Sequence, residues 1–262
     1  MSLYRMDGFK YIFDDAEQNY NNSDKSLDNF RYNRRVYGFC INEGGIDEQS
    51  INHAKQINEE LSAKFLNQSK SMVGYKGHEE KFLPVDDLDS KHIMQLTFLL
   101  HNSDMNYGKI VEIGGGFGNM ARLCNGILTF KQWDIIDIPH MLQVQKYYLD
   151  AEIGDTSKIN FINAYSNVNY RETPIHVVIG THSLSEFSWS VFENYFHTVV
   201  QYSEYLFLGY NKHCPSEALI QAKLNYIATH NFIVEKQFEY SEKTGANVVY
   251  TLYKNNSFVA GK

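Results

Sequence analysis

Between Lys109 and Leu123 the chain reads KIVEIGGGFGNMARL, and no other stretch restricts its fold as much. A short β-branched run, Ile110-Val111-Glu112-Ile113, stops at three successive glycines. A fourth glycine, Gly118, opens a segment whose apolar residues fall at Met120, Leu123, Ile127 and Leu128, which is helical spacing. A buried strand that runs through a glycine turn into a helix is a nucleotide-binding crossover. Glycine lets the backbone approach a ligand closely and adopt positive φ, while the helix start offers free N–H groups.

The spacing separates the ligands. A dinucleotide fingerprint needs G-x-G-x-x-G, and a frame begun at Gly114 puts Asn119 where the third glycine belongs. A dehydrogenase is therefore disfavoured. No Gly-Lys-Ser/Thr follows, which excludes a P-loop. The frame that fits is E-x-G-x-G-x-G, made of Glu112, Gly114, Gly116 and Gly118. It resembles motif I of class I S-adenosylmethionine (SAM) methyltransferases. There the acidic residue lies on the first strand and the glycines line the methionine end of the cofactor.

Gln132-Trp133-Asp134-Ile135-Ile136-Asp137 reads as the next strand, with Asp137 at its carboxyl end, nineteen positions after Gly118. In nucleotide-binding α/β folds an acid at about this distance hydrogen-bonds the ribose hydroxyls, because a carboxylate accepts from both. Asp137 also suits the start of the helix that Pro139 opens, and the two roles are compatible.

Composition is that of a globular protein, at 43% hydrophobic and 21% charged residues. A length of 262 residues allows one α/β domain with an appendage. The net charge of −7 argues against a nucleic-acid partner. The longest apolar run, Ile93 to Leu100, is too short for a membrane span, and the first residues lack a signal-peptide core. Cys40, Cys124 and Cys214 are isolated from one another, which leaves neither a CxxC pair nor the CxxxCxxC of radical SAM chemistry. Scattered thiols fit a reducing compartment, so a cytoplasmic location is expected.

Two regions differ in pattern. In residues 1–105, a mainly helical cap is expected beside the nucleotide domain. One helix carries Ile51, Ala54, Ile57, Leu61 and Phe65, and a second starts near Ser90. In residues 106–262, strands are expected at 109–113, 132–137, 158–163, 175–180, 205–210, 231–238 and 247–253. Helices are expected near 118–128, 139–150, 166–171 (short or absent), 189–201 and 215–229. Five β/α steps that end in a hairpin match the seven-stranded, Rossmann-like α/β sheet of class I methyltransferases, whose last strand inserts antiparallel.

The helix after the second strand carries a more distinctive pattern, D-x-P-x-x-L-x-x-Q-x-x-Y-L, running from Asp137 to Leu149. Together with Val111–Leu123 and Ser183-Leu184-Ser185-Glu186-Phe187, it resembles a family of sugar O-methyltransferases found in bacterial polysaccharide and capsule gene clusters. The likeness covers roughly residues 109 to 190. It implies SAM as cofactor and methyl transfer to a hydroxyl of a small sugar or sugar-nucleotide acceptor, without nucleic acid. A homo-oligomer is compatible with it. A phosphate-type oxygen acceptor and a non-catalytic SAM-fold binding module are the alternatives.

By position, Gly114, Gly115 and Gly116 are expected at the methionine end of the cofactor, with Glu112 on the first strand a further cofactor-binding candidate. Asp137 is expected at the ribose, Ile138, Asn163 and Ala164 at the adenine, and Thr181, after the fourth strand, is a further cofactor-binding candidate. A general base belongs at the carboxyl ends of the strands, where His182, Glu186 and His213 are candidates. Tyr75, Lys76 and Ser185 are candidate substrate contacts, and His140 a pocket residue. Asp86, Asp87 and Asp89 read as acids of a helix start, and no metal is expected. Leu142, Tyr148 and Leu149 read as core. Gln145 lies on the same inner face and needs hydrogen-bond partners, in the backbone or a neighbouring loop.

Overall fold

The computed structural model describes residues 27–32, 45–76, 82–212, 216–241 and 247–258. The first described element is a 3-10 turn, Leu27–Tyr32. Two helices follow, α1 (Glu48–Ile57) and α2 (Glu59–Gln68). The apolar repeat from Ile51 to Phe65 predicts a single helix. The chain breaks it at Asn58, which is extended and accepts a hydrogen bond from the Leu61 amide at 3.0 Å. An asparagine that can cap a new helix competes with continuing the old one.

Helix α3 (Asp87–Asn102) begins in a capping box. Asp86 accepts from the Asp89 amide at 2.8 Å, and Asp89 accepts from the Asp86 amide at 3.4 Å. The acids at this point are thus helix-start residues, as their spacing predicts.

The sheet then alternates with helices. In chain order these are β1 (Lys109–Ile113), α4 (Asn119–Asn125), β2 (Gln132–Asp137), α5 (Pro139–Ile153), β3 (Ile159–Asn163) and β4 (Ile175–Thr181). They continue through α6 (Ser183–Glu186), α7 (Trp189–Thr198), β5 (Ser203–Lys212), α8 (Glu217–Thr229), β6 (Phe232–Ser241) and β7 (Asn247–Asn255). The helix considered near 166–171 does not form. Tyr170 is instead buried, and its hydroxyl donates to Asp134 at 2.6 Å, pinning the β3–β4 connection to β2.

The strands are ordered β3-β2-β1-β4-β5-β7-β6. All neighbours are parallel except β7, which pairs antiparallel with both β5 and β6. Residue alternation along β1 sends Ile110 to one face and Val111 and Ile113 to the other. On the first face α1 to α5 pack through residues such as Ile93, Leu96, Leu123 and Val144. The opposite face is covered by Val191, Phe192 and Phe196 of α7 and Ile227 of α8. The cap helices and the sheet therefore share one apolar core. No helix among the described residues is long and apolar enough to cross a membrane.

Strand β1 has β2 on one side and β4 on the other. The chain leaves β1 toward β2, then returns to continue on the far side. Connections diverge there, so a crevice opens beyond the carboxyl ends of β1 and β4.

Candidate functional site

The glycine turn forms one wall of that crevice. Gly114 has φ +76°, and a Cβ at this position would lie 2.7 Å from the Ser183 Cβ. Any side chain would therefore be both strained and in collision. Ser183 donates to the Ile113 carbonyl, which stitches the end of β4 to the end of β1. Gly116 is different: nothing lies within 4 Å of a Cβ placed there. The turn is closed behind Gly114 and Gly115 and open in front of Gly116.

Asp137 ends β2 beside this opening. Its Oδ1 accepts from the Ile138 amide at 2.8 Å and its Oδ2 from Gln145 Nε2 at 2.7 Å. Burial pushes the carboxyl up to about 7, while hydrogen bonds from Ile138, Gln145 and the Gly115 backbone oppose the shift. Ile138 is half-buried next to it. Asn163 pairs across from Asp137 in the ladder, and the Ala164 amide donates to the Asp137 carbonyl at 2.8 Å. The carboxyl ends of β1, β2 and β3 thus form one ledge. His140, on the first turn of α5, is half-buried, and burial pushes its imidazole down to about 4.

Glu112 departs from its expected place. Its carboxyl is buried on the inner side of β1, where it accepts from Trp133 Nε1 at 2.9 Å. A Cβ on Gly115 would lie 3.3 Å from Glu112 Cδ, so this side chain backs the glycine turn rather than lining its open side. Burial pushes the carboxyl up to about 8. The folded state thereby holds a proton that the unfolded chain releases near pH 4.3. The stability this proton carries is complete below that value and is lost as pH rises through about 8. Glu112→Gln keeps the acceptor for Trp133 without an ionisation. Its melting temperature should gain on that of the parent as pH is raised from 5 to 8.5, and a constant difference would show that Glu112 does not titrate this way.

The other wall is the segment after β4. Thr181 is half-buried and in register with Gly209 of β5. His182 adopts φ 63°, rare for a residue with a side chain, and its amide donates to the Gly209 carbonyl at 2.9 Å. The imidazole Nε2 lies 3.2 Å from Tyr250 Oη, which accepts from Gln95 Nε2 at 2.8 Å. A residue held in a sparsely populated conformation, with its ring oriented by a hydroxyl, is over-determined by its surroundings, as active-site residues commonly are.

Glu186 is half-buried in α6, and burial pushes its carboxyl up to about 7 against the attraction of Lys223. Lys223 is buried and donates to the carbonyls of Leu184, Ser185 and Phe187 at 3.3, 2.7 and 2.5 Å. It clamps the short segment between β4 and α7 from beneath.

Several expectations are corrected by this geometry. The hydroxyl of Ser185 is buried and donates to the Gly209 carbonyl at 3.0 Å, so it anchors α6 and is not presented to a substrate. Tyr75 is buried against the Arg31 guanidinium, and its hydroxyl lies 3.3 Å from Asp86 Oδ2. Lys76 pairs with Asp28 at 2.5 Å on the surface. Both residues tie Leu27–Tyr32 to the loop before α3 and are structural. His213, Cys40 and Cys214 lie outside the described residues; Cys124 is buried.

A polar network below the glycine turn escapes the sequence reading. Asn119 donates to Asp89 at 2.9 Å and accepts from Arg122 Nε at 3.0 Å and from the Tyr148 hydroxyl at 3.1 Å. Arg122 reaches the Ser69 carbonyl at 3.2 Å. Arg31 pairs with Asp86 at 3.0 Å, with its guanidinium 4.6 Å from the Phe117 ring centre. His92 of α3 lies 3.0 Å from Asn119 Nδ2, and burial pushes its imidazole down to about 3. The available signal was Asn119 and Arg122 standing among apolar residues on the inner face of a predicted helix. Among the described residues no group of three or more His, Cys, Asp or Glu side chains could hold a metal ion.

A glycine turn on β1, an acid ending β2 and one antiparallel strand inserted next to last in the order 3-2-1-4-5-7-6 occur together. The sheet is that of the class I methyltransferases. No family model matches the chain, and no curated protein does. Solved structures similar to it share the fold at low identity. One is Thermoplasma acidophilum 1320, with a TM-score of 0.49 and 15% identity over 77% of this chain and 99% of that one. A candidate RNA methyltransferase from Pyrococcus horikoshii has a TM-score of 0.47 and 12% identity, over 64% and 84% of the two chains. TrmK of M. capricolum, solved with S-adenosylhomocysteine, has a TM-score of 0.44 and 16% identity, over 59% and 66%.

These likenesses speak for the fold alone. The exclusion of nucleic acid on net charge does not stand, and candidate RNA and tRNA methyltransferases are among the similar structures. The sugar acceptor set against it finds no support and is withdrawn. Net charge averages over a whole surface, whereas a polyanion responds to the local potential at the site.

Proposed function

We propose that the protein is a SAM-dependent methyltransferase. The observation that carries this reading is the Asp137 carboxyl, held at the end of β2 beside the open side of Gly116. Its two oxygens take donors from the Ile138 amide, Gln145 Nε2 and the Gly115 backbone, and a carboxylate offers about four acceptor positions. A position is therefore left for a ribose hydroxyl. Gly114 to Gly116 would receive the methionine portion, and Ile138, Asn163 and Ala164 the adenine, with Thr181 between cofactor and acceptor.

Bound SAM supplies an electrophilic methyl group on a positively charged sulfur. The chain's own residues then have two tasks. The two walls hold the acceptor in line behind that methyl group, and alignment alone lowers such barriers by several kcal/mol. His182 would take the proton that the acceptor oxygen gives up, and SAM would supply the methyl group that replaces it. Glu186 is the second candidate for this proton, because its raised carboxyl lies close to working pH.

Calorimetry with SAM tests the reading; no binding at high micromolar concentration overturns it. Transfer of labelled methyl to a panel that includes RNA and small hydroxyl compounds reads the acceptor class. Binding without transfer to any acceptor would favour a non-catalytic module. A pH dependence is also expected. Asp137 gains a proton as pH falls through about 7 and then accepts less well. SAM affinity should therefore weaken between pH 8 and pH 6, and an affinity constant over that range would remove Asp137 from the ribose site.

A further inference from the structure

Gln145 is fully buried in the middle of α5, yet it is polar. Its Nε2 donates twice, to Asp137 Oδ2 at 2.7 Å and to the Gly116 carbonyl at 2.9 Å. Those two acceptors belong to different elements, one to the end of β2 and the other to the turn after β1. One side-chain amide thus spans the two parts of the crevice that must be in register for a nucleoside to fit. The approach is close: a Cβ on Gly115 would lie 2.6 Å from the Ile135 side chain and 3.5 Å from Gln145 Nε2. Gln145 Oε1 is buried with no hydrogen-bond partner among the described residues, where the amide is spent on its two N–H bonds. An uncompensated buried acceptor costs stability, and a residue chosen for packing alone would be apolar.

We infer that Gln145 is a positioning residue, a latch that holds the Asp137 carboxylate and the Gly116 backbone in the one relation in which both face a ribose. This rests on the SAM reading above. Without the latch, Asp137 Oδ2 loses its side-chain donor and the carboxylate can rotate about its last bond. The glycine turn loses its tie to α5 at the same moment. Recognition of the ribose hydroxyls should then suffer most, while contacts to the adenine persist.

Gln145→Met tests this, since methionine keeps the length and volume but cannot donate. The probes are S-adenosylhomocysteine and its 2′,3′-dideoxy analogue, titrated by calorimetry into the full chain. The parent protein should prefer the ribose form roughly 10–100-fold, the ratio expected for charge-assisted hydrogen bonds. In Gln145→Met that ratio should collapse toward unity, with the ribose form losing more affinity than its analogue. The pH midpoint of binding should also move upward, because a hydrogen bond that favours the charged carboxylate has gone.

A thermal melt keeps the result readable if the variant folds poorly, and Gln145→Leu offers a second non-donor. A merely structural role would weaken both probes equally and leave the ratio and the midpoint unchanged, which overturns the inference. If the parent protein binds neither probe, the SAM reading falls and the latch with it. If the parent discriminates and both variants discriminate as well, only the latch falls.

Discussion

His182→Ala should lower kcat roughly 10²–10⁴-fold, the range for loss of a general acid–base group, with SAM affinity unchanged. The expectation rests on where the ring is held. The residue follows the last position of β4, its backbone is left-handed, and its amide is bound to Gly209. Its imidazole is aimed by Tyr250, which is steadied by Gln95 of α3. A side chain placed this way for packing alone would have no reason to keep the strained backbone. Alanine also suffers in the left-handed region, so His182→Asn is the better partner variant, because asparagine tolerates that conformation. Equal losses in both variants assign the effect to the ring and not to the backbone. Glu186→Gln separates the second candidate. Turnover that survives both the His182 and the Glu186 changes would place the base elsewhere.

Asp86→Ala should destabilise the fold by about 3–5 kcal/mol, read by urea denaturation. Arg31 and Asp86 are both buried, and their pairing distance is 3.0 Å. Removing the carboxylate strands a guanidinium between Phe117, Tyr75 and Tyr148 without its ion-pair partner, leaving only the field of Asp89 to offset it. It also deletes the N-cap of α3, typically about 1 kcal/mol by itself. Because breaking a buried pair costs more than replacing it, Arg31→Met combined with Asp86→Asn should recover much of the loss. A single variant that loses less than about 1 kcal/mol would mean that the pair is hydrated and ordinary.

All seven strands were legible in the sequence, and all were found within a few residues of their expected limits. Short β-branched runs between turn residues leave little other choice. The helix boundaries were less legible where side chains compete with the backbone, as at Asn58, or where a distant partner decides, as at Tyr170. The site divided in the same way. Glycine spacing and the acid that ends β2 were readable because both are demands on local backbone. Glu112, Ser185 and Tyr75 were misplaced, since each is directed by neighbours remote in sequence: Trp133, Gly209 and the Arg31–Asp86 pair.

The sequence by itself determined the crossover from β1 into its glycine turn, the alternation of strands and helices, and Asp137 at a strand end. These follow from periodicity and backbone sterics over a few residues. Only the tertiary structure decided which polar groups face the crevice and which hold it together. Asn119, which by spacing argued against a dinucleotide, proves to be the buried hub between Asp89, Arg122 and Tyr148. Gln145, unexplained along the chain, joins the ends of two strands. The physical reason is the same in each case: a buried polar group must find its partner in space, and sequence distance carries no record of where that partner lies.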